Sequence, residues 1–162
     1  MSKPIVVVTG VSGFVAGHCA VALLATGRYA VRGTVRSKGN AAAVAHLAAH
    51  PVLRAVELVE CDLLDDAGWA EACDGAAYML HCASPFPIGK VKAGSLVAPA
   101  VAGTERALTF AAKAGLKRVV VTSSVAAISS GRAPGDVAAR VFTDADHSNA
   151  DACDERVRSA SL

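Results

Sequence analysis

Apolar and polar positions along the chain change period several times, and each change marks an element. Ile5-Val6-Val7-Val8 is an unbroken β-branched run that stops at Thr9-Gly10, the pattern of a strand buried on both faces. Val15 to Thr26 is apolar and of helical length, with Gly27 as a C-terminal stop. Tyr29 to Val35 alternates, with Ala30, Arg32 and Thr34 on one side and Tyr29, Val31 and Val35 on the other, which predicts a second strand. Gly39 to His50 is alanine-rich and helical, and Pro51 ends it. Ala55 to Val59 reads as a third strand, followed by Cys61-Asp62-Leu63. Asp65-Asp66 are placed to cap a helix running through Trp69 to Cys73, which Asp74-Gly75 stop. Ala77 to Cys82 predicts a fourth strand, with a Ser84-Pro85-Phe86-Pro87 loop after it. Leu96 to Ala114 predicts a long helix with Pro99 near its start, and Arg118 to Thr122 a fifth strand.

Strands and helices therefore alternate through the first 130 residues. Such alternation predicts an α/β fold, a doubly wound parallel sheet of about five strands with helices on both faces. The handedness of the crossovers favours the strand order 3-2-1-4-5. From residue 131 to 162 the chain is rich in Gly, Pro, Asp, Ser and Arg, with one apolar patch at Val141-Phe142. The expected organisation is a domain over 1–130 and a loop or poorly ordered tail over 131–162.

Composition changes this picture in two ways. Of the 162 residues 53% are hydrophobic and 4% aromatic, so the core is built from small side chains. A net charge of +2 is too small for a general nucleic-acid binder, but it is unevenly spread. Residues 1–56 hold six bases (Lys3, Arg28, Arg32, Arg36, Lys38, Arg54) and no acid, which points to an anionic ligand in the first third. No apolar run is long enough for a membrane span or a secretory signal. The five cysteines form no C-x-x-C pair, and no set of four zinc ligands is spaced for a structural site. With no secretory signal they read as reduced thiols of a cytoplasmic protein. From the spacing, run lengths and net charge above, no metal, membrane or nucleic-acid partner is expected.

The turn Thr9-Gly10-Val11-Ser12-Gly13-Phe14-Val15-Ala16 follows a buried strand and opens a helix. Gly10 permits the sharp turn, Gly13 lets the backbone approach a pyrophosphate, and the small Ala16 lets the helix lie near the sheet. The helix N-terminus then offers free N–H groups and a positive dipole end to the phosphates. This is the dinucleotide-binding turn of a Rossmann-type fold. NAD sites usually place an acid at the end of the second strand for the ribose 2′-hydroxyl. Here that position is Arg36, with Lys38 just beyond. An Arg fork holds a 2′-phosphate and a carboxylate repels it, so the expected cofactor is NADP(H) rather than NAD(H).

Six motifs in order carry a resemblance over about residues 3–147. They are Thr9-Gly10-x-x-Gly13-Phe14, Val31-Arg32-Gly33-Thr34-Val35-Arg36-Ser37, Cys61-Asp62-Leu63, His81-Cys82-Ala83-Ser84-Pro85-Phe86-Pro87, Pro99-Ala100-Val101-x-Gly103-Thr104 and Lys117-Arg118-Val119-Val120-Val121-Thr122-Ser123-Ser124. In them the chain resembles the extended short-chain dehydrogenase/reductase superfamily of NAD-dependent epimerase/dehydratase type. It looks most like the branch of dihydroflavonol reductase, cinnamoyl-CoA reductase and the yeast-type carbonyl reductases.

The resemblance implies that Thr9, Gly10, Ser12, Gly13, Phe14 and Val15 form the phosphate turn. It implies that Asp62 accepts from the adenine amino group beside Leu63, and that Ala83 and Ser84 line the ribose and nicotinamide side. Thr122 and Ser123 would sit near the nicotinamide ribose, and Ser124 would be the catalytic serine that hydrogen-bonds the substrate carbonyl. Ala16 stands where many members have Gly, and His147 where the plant enzymes usually carry Trp.

In this superfamily hydride leaves the nicotinamide for a carbonyl while a tyrosine delivers a proton, helped by a lysine four residues later. This chain has two tyrosines, Tyr29 and Tyr78, followed four positions on by Gly33 and Cys82. Its last lysine is Lys117. Three readings stay open. The chain is the nucleotide-binding part of an NADP-dependent carbonyl reductase whose later strands and substrate region are missing. Or it is a non-catalytic NADP(H)-binding or sensing module. Or it belongs to another activity of the superfamily, a sugar epimerase or steroid dehydrogenase. The first predicts an inactive chain with an exposed sheet edge and poor solubility.

Overall fold

A computed structural model describes residues 2–85, 95–132, 135 and 141–153. Five strands form one parallel sheet: β1 (Ile5–Thr9), β2 (Ala30–Val35), β3 (Glu57–Glu60), β4 (Ala76–His81) and β5 (Arg118–Val121). Their order is β3-β2-β1-β4-β5, the order that the crossover handedness favours. The register sets Val6 beside Val31, Val35 beside Glu60, Thr9 beside His81 and Leu80 beside Val120. The carboxyl ends of all five strands therefore lie along one rim, where doubly wound sheets bind ligands.

The connecting helices are α1 (Phe14–Ala25), α2 (Ala41–Ala49), α3 (Trp69–Cys73) and α4 (Val97–Lys113), and a short α5 (Ala126–Ser129) follows β5. Because successive strand residues face opposite ways, β1 feeds two cores. Val6 and Val8 join Val31, Val35, Ala16, Ala20, Leu47 and Leu53 in one. Val7 joins Val59, Met79, Trp69, Ala72, Ala107 and Ala111 in the other. Alanines four apart on α1 and on α4 let both helices lie close to the sheet. Gly33 serves the same end inside β2, since a Cβ there would stand 2.7 Å from Val11 Cβ and 2.8 Å from Val56 Cγ1.

Two elements differ from the sequence pattern. The third strand, expected over Ala55 to Val59, runs instead over Glu57–Glu60, and Ala55 closes a 3-10 turn, Leu53–Ala55. His50 Nδ1 accepts from the N–H groups of Val52 and Leu53 at 3.1 and 3.2 Å, which folds the chain after Pro51. Asp65 and Asp66 do not cap α3. Asp65 Oδ1 accepts from Ala67 N at 2.9 Å in a turn of its own, Asp66 pairs with Arg106, and α3 starts after Gly68 at φ +78°. A local turn won over the helix start because short acidic side chains bond their own neighbouring backbone readily.

The chain divides into two compact units, residues 1–84 with 103–122, and residues 85–102 with 123–162. The first holds the sheet. In the second, Ser148 N donates to Ala127 O at 2.8 Å, Asn149 N to Ser130 O at 3.0 Å, and Arg132 Nη2 to His147 O at 2.6 Å. The Arg132 guanidinium also lies over the Phe142 ring. Phe86 and Pro87 of the expected loop lie outside the described residues. No helix among the described residues is long and apolar enough to cross a membrane.

Candidate nucleotide-binding site

The turn between β1 and α1 is built by two glycines. Gly10 has φ +67°, a left-handed conformation that favours glycine, and a Cβ on it would stand 3.1 Å from Ala83 Cβ. Gly10 N donates to Thr34 Oγ1 and Val11 N to Thr34 O, both at 3.0 Å, so β2 holds the turn from behind. Gly13 is the N-cap of α1, which has no side-chain cap and no acid in its first turn. The N–H groups that open the helix are thus offered outward rather than absorbed by a cap. Phe14 and Val15 are exposed on that first turn, and Ser12 is half-buried beside them.

Thr9 is fully buried and its hydroxyl is wholly committed. Oγ1 accepts from Cys82 N and Ala83 N at 3.0 Å each and lies 3.0 Å from His81 Nδ1. With both lone pairs taken, the Thr9 O–H donates to Nδ1, which assigns the ring proton to Nε2. Burial holds the His81 imidazole below its ordinary 6.5, which keeps that acceptor in place. Thr9 therefore has no hydrogen-bonding capacity left for a ligand. Its effect on the site is to fix the chain after β4 against the Gly10 turn.

Along and just after β2 two arginines separate in role. Arg32 is built in: Nη1 donates to the carbonyls of Glu71, Ala72 and Asp74 at 3.0, 3.2 and 2.7 Å, and Nε lies 3.0 Å from Glu57 Oε2. It serves carbonyls at the C-terminal end of α3, where helical partners run out. Arg36 is exposed, and no described residue hydrogen-bonds or pairs with its guanidinium. Lys38 is exposed as well, and its backbone N–H donates to Glu60 Oε1 at 2.5 Å. Glu60 is an acid at this rim that a search along β2 misses, because it arrives from β3 across the register pair Val35–Glu60.

Asp62 Oδ1 accepts from Leu64 N at 2.9 Å, and its carbonyl accepts from Trp69 Nε1 at 2.9 Å. Leu63 packs under α4, where a Cβ on Gly103 would stand 2.9 Å from Leu63 Cβ. Past β4, Ala83 faces Gly10 and Ser84 is exposed. Thr122 N donates to His81 O at 2.9 Å, and Thr122 Oγ1 lies 3.3 Å from Cys82 Sγ. Burial pushes the Cys82 thiol up, and it pushes Cys61 up to about 12, so neither is a thiolate at neutral pH. Ser123 and Ser124 belong to the second unit, where Ser124 Oγ accepts from Ala126 N at 3.2 Å.

A glycine turn at an uncapped helix, an unpartnered Arg at the next strand end and a carboxylate at the third make a dinucleotide-shaped rim. The profile of the NAD dependent epimerase/dehydratase family matches residues 6–148. The chain belongs to that family. Within it, the chain is 36% identical over 128 residues to cinnamoyl-CoA reductase 1 of Petunia hybrida, covering 79% of this chain and 37% of that protein. It is 36% identical over 121 residues to dihydroflavonol 4-reductase of Dianthus caryophyllus, covering 74% and 33%. Among solved structures, Gre2 of Candida albicans in complex with NADPH superposes with a TM-score of 0.76 at 28% identity, covering 98% of this chain and 50% of that one. The chain thus spans well under half the length of these curated relatives and half that of the solved reductase. The family members named are reductases, which agrees with the branch that the ordered motifs resemble.

Proposed function

We propose that this chain binds NADP(H) at the rim of β1, β2 and β3 and is the nucleotide-binding portion of a carbonyl reductase. The observation that carries this reading is Arg36: an exposed guanidinium without a partner among the described residues, at the strand end where Rossmann-type folds separate the two nicotinamide dinucleotides. In this reading the Gly10–Gly13 turn and the opening N–H groups of α1, with Ser12, Phe14 and Val15, hold the pyrophosphate. Arg36, helped by Lys38, holds the 2′-phosphate. Asp62 accepts from the adenine amino group through its second oxygen, beside Leu63. Ala83, Ser84, Thr122 and Ser123 line the nicotinamide side, and Ser124 donates its hydroxyl to the substrate carbonyl. Residues 1–130 then act as the cofactor domain. The bound dinucleotide supplies hydride to a ketone or aldehyde, or takes it from the corresponding secondary alcohol.

The residues given bind the cofactor but do not complete the reduction, because no tyrosine among them is placed to deliver a proton. Tyr29 and Tyr78 pack edge to face with ring centres 6.2 Å apart, against the α1 side of the core. Fluorescence titration of the purified chain is expected to show NADPH binding at least about tenfold tighter than NADH. Arg36→Ala is expected to weaken NADPH about 10–100-fold and leave NADH unchanged, the loss of charge-assisted hydrogen bonds of about 1.5–3 kcal/mol. Equal affinity for the two cofactors sinks the assignment. Oxidation of NADPH above background with an aldehyde or ketone overturns the inactivity.

A further inference from the structure

We propose that Glu60 is a specificity-determining residue that opposes Arg36 and limits the preference for a 2′-phosphorylated dinucleotide. The inference rests on the NADP(H) reading and deepens it.

Three observations place Glu60 in the 2′-phosphate subsite. It is the last residue of β3, in register with Val35, so it ends at the same rim as Arg36. Its Oε1 accepts from the backbone N–H of Lys38 at 2.5 Å, within the Arg36-Ser37-Lys38-Gly39 segment itself. And Glu60 has no cation partner among the described residues, whereas Glu57 on the same strand is paired with Arg32. A phosphate seated on Arg36 meets a carboxylate already holding one of the loop's N–H donors. Like charges at one rim raise the energy of the phosphate-bound state, and the neutral ribose 2′-hydroxyl of NAD(H) meets no such repulsion. The carboxylate therefore has two effects of opposite sign. Its hydrogen bond steadies the loop that carries Arg36, and its charge repels what that loop is built to hold.

Glu60→Gln separates the two effects, because the amide oxygen still accepts from Lys38 N while the charge is gone. Glu60→Ala removes both. The measurement is the ratio of the NADH Kd to the NADPH Kd at low salt for the wild-type chain and both variants, with 2′,5′-ADP and 5′-AMP as a second ligand pair. Glu60→Gln is expected to raise the ratio about 3–10-fold, an exposed like-charge effect that shrinks as salt is added. Glu60→Ala is expected to raise it less, since the loop loses its tether. An unchanged or lower ratio in Glu60→Gln overturns the proposal. The wild-type ratio alone tests the cofactor reading, so the two fail separately, while binding of neither dinucleotide overturns both.

Discussion

The two ends of the sheet are finished differently. At β3 the outer strand carries Glu57 and Glu60 on exposed positions, and both carboxylates have work: one pairs with Arg32, the other tethers Lys38. Charged side chains on an outer strand discourage pairing with another chain. At β5 the outer strand exposes Val120 and Val121 at 52% and 43%. Val120 shares an apolar groove with Tyr29, Tyr78, Leu80 and Arg118 on the α1 side of the sheet. On the α4 side Val119 packs against the core of Met79, Ala107 and Ala111. The β1–β3 edge carries paired and hydrogen-bonded charges, while the β5 edge leaves Val120 and Val121 exposed. A site for an anion needs the first kind of surface, with donors aimed outward and every other polar group satisfied.

Thr9 joins the two halves, so its removal has the largest expected effect. Thr9→Val leaves the amides of Cys82 and Ala83 without their acceptor and is expected to lower unfolding stability by about 2–4 kcal/mol. Thr9→Ser keeps the hydroxyl and is expected to recover most of it. Chemical denaturation of both variants checks this, and equal losses would show that the hydroxyl does not link the halves. Gly33→Ala strikes only the β1–β3 half: its Cβ has no room beside Val11 and Val56, for an expected loss of about 1–3 kcal/mol. A neutral result there would mean that Val11 and the turn it belongs to yield easily.

His81 sharpens the comparison through pH. Its folded-state pKa is held below the ordinary 6.5 by burial, so the unfolded chain takes up the proton first as pH falls. Its contribution is complete above about pH 6.5 and is lost progressively below it, until the pH passes the folded-state value. His81→Asn removes the titration and is expected to flatten the denaturation midpoint between about pH 7 and pH 5. Val120→Lys has the smallest effect on folding, within about 0.5 kcal/mol. It is expected to make the chain less prone to associate, read by light scattering. If association is unchanged, the open β5 face is not what makes the chain sticky.

Much of the rim was legible in order along the chain. Gly10 and Gly13 stand after a buried β-branched run and before a helical one, and only a tight strand-to-helix turn suits that sequence. Arg36 stands at the end of an alternating segment where its charge is the discriminating feature. Other parts were hidden for definite reasons. The aspartates before α3 look like caps, but each finds a nearer partner, Ala67 N for Asp65 and Arg106 for Asp66. Arg32 and Arg36 look alike in the sequence, four residues apart in a basic stretch, yet one is consumed by the C-terminus of α3 and the other is exposed, with no partner among the described residues.

What the sequence determined by itself is what depends on local period and on residues near one another in the chain: the alternation of strands and helices, the glycine turn between β1 and α1, the family and, with it, the strand order that crossover handedness favours. Tertiary structure alone decided which polar side chains remain available. That is a question of partners brought from far along the chain. Thr9 is occupied by residues more than seventy positions away, Arg32 by the end of α3, and Lys38 N by an acid from β3. Hydrogen bonds and charges act over a few ångströms of space whatever the separation in sequence, so the electrostatic balance at the rim, Arg36 against Glu60, exists only once β2 and β3 lie side by side.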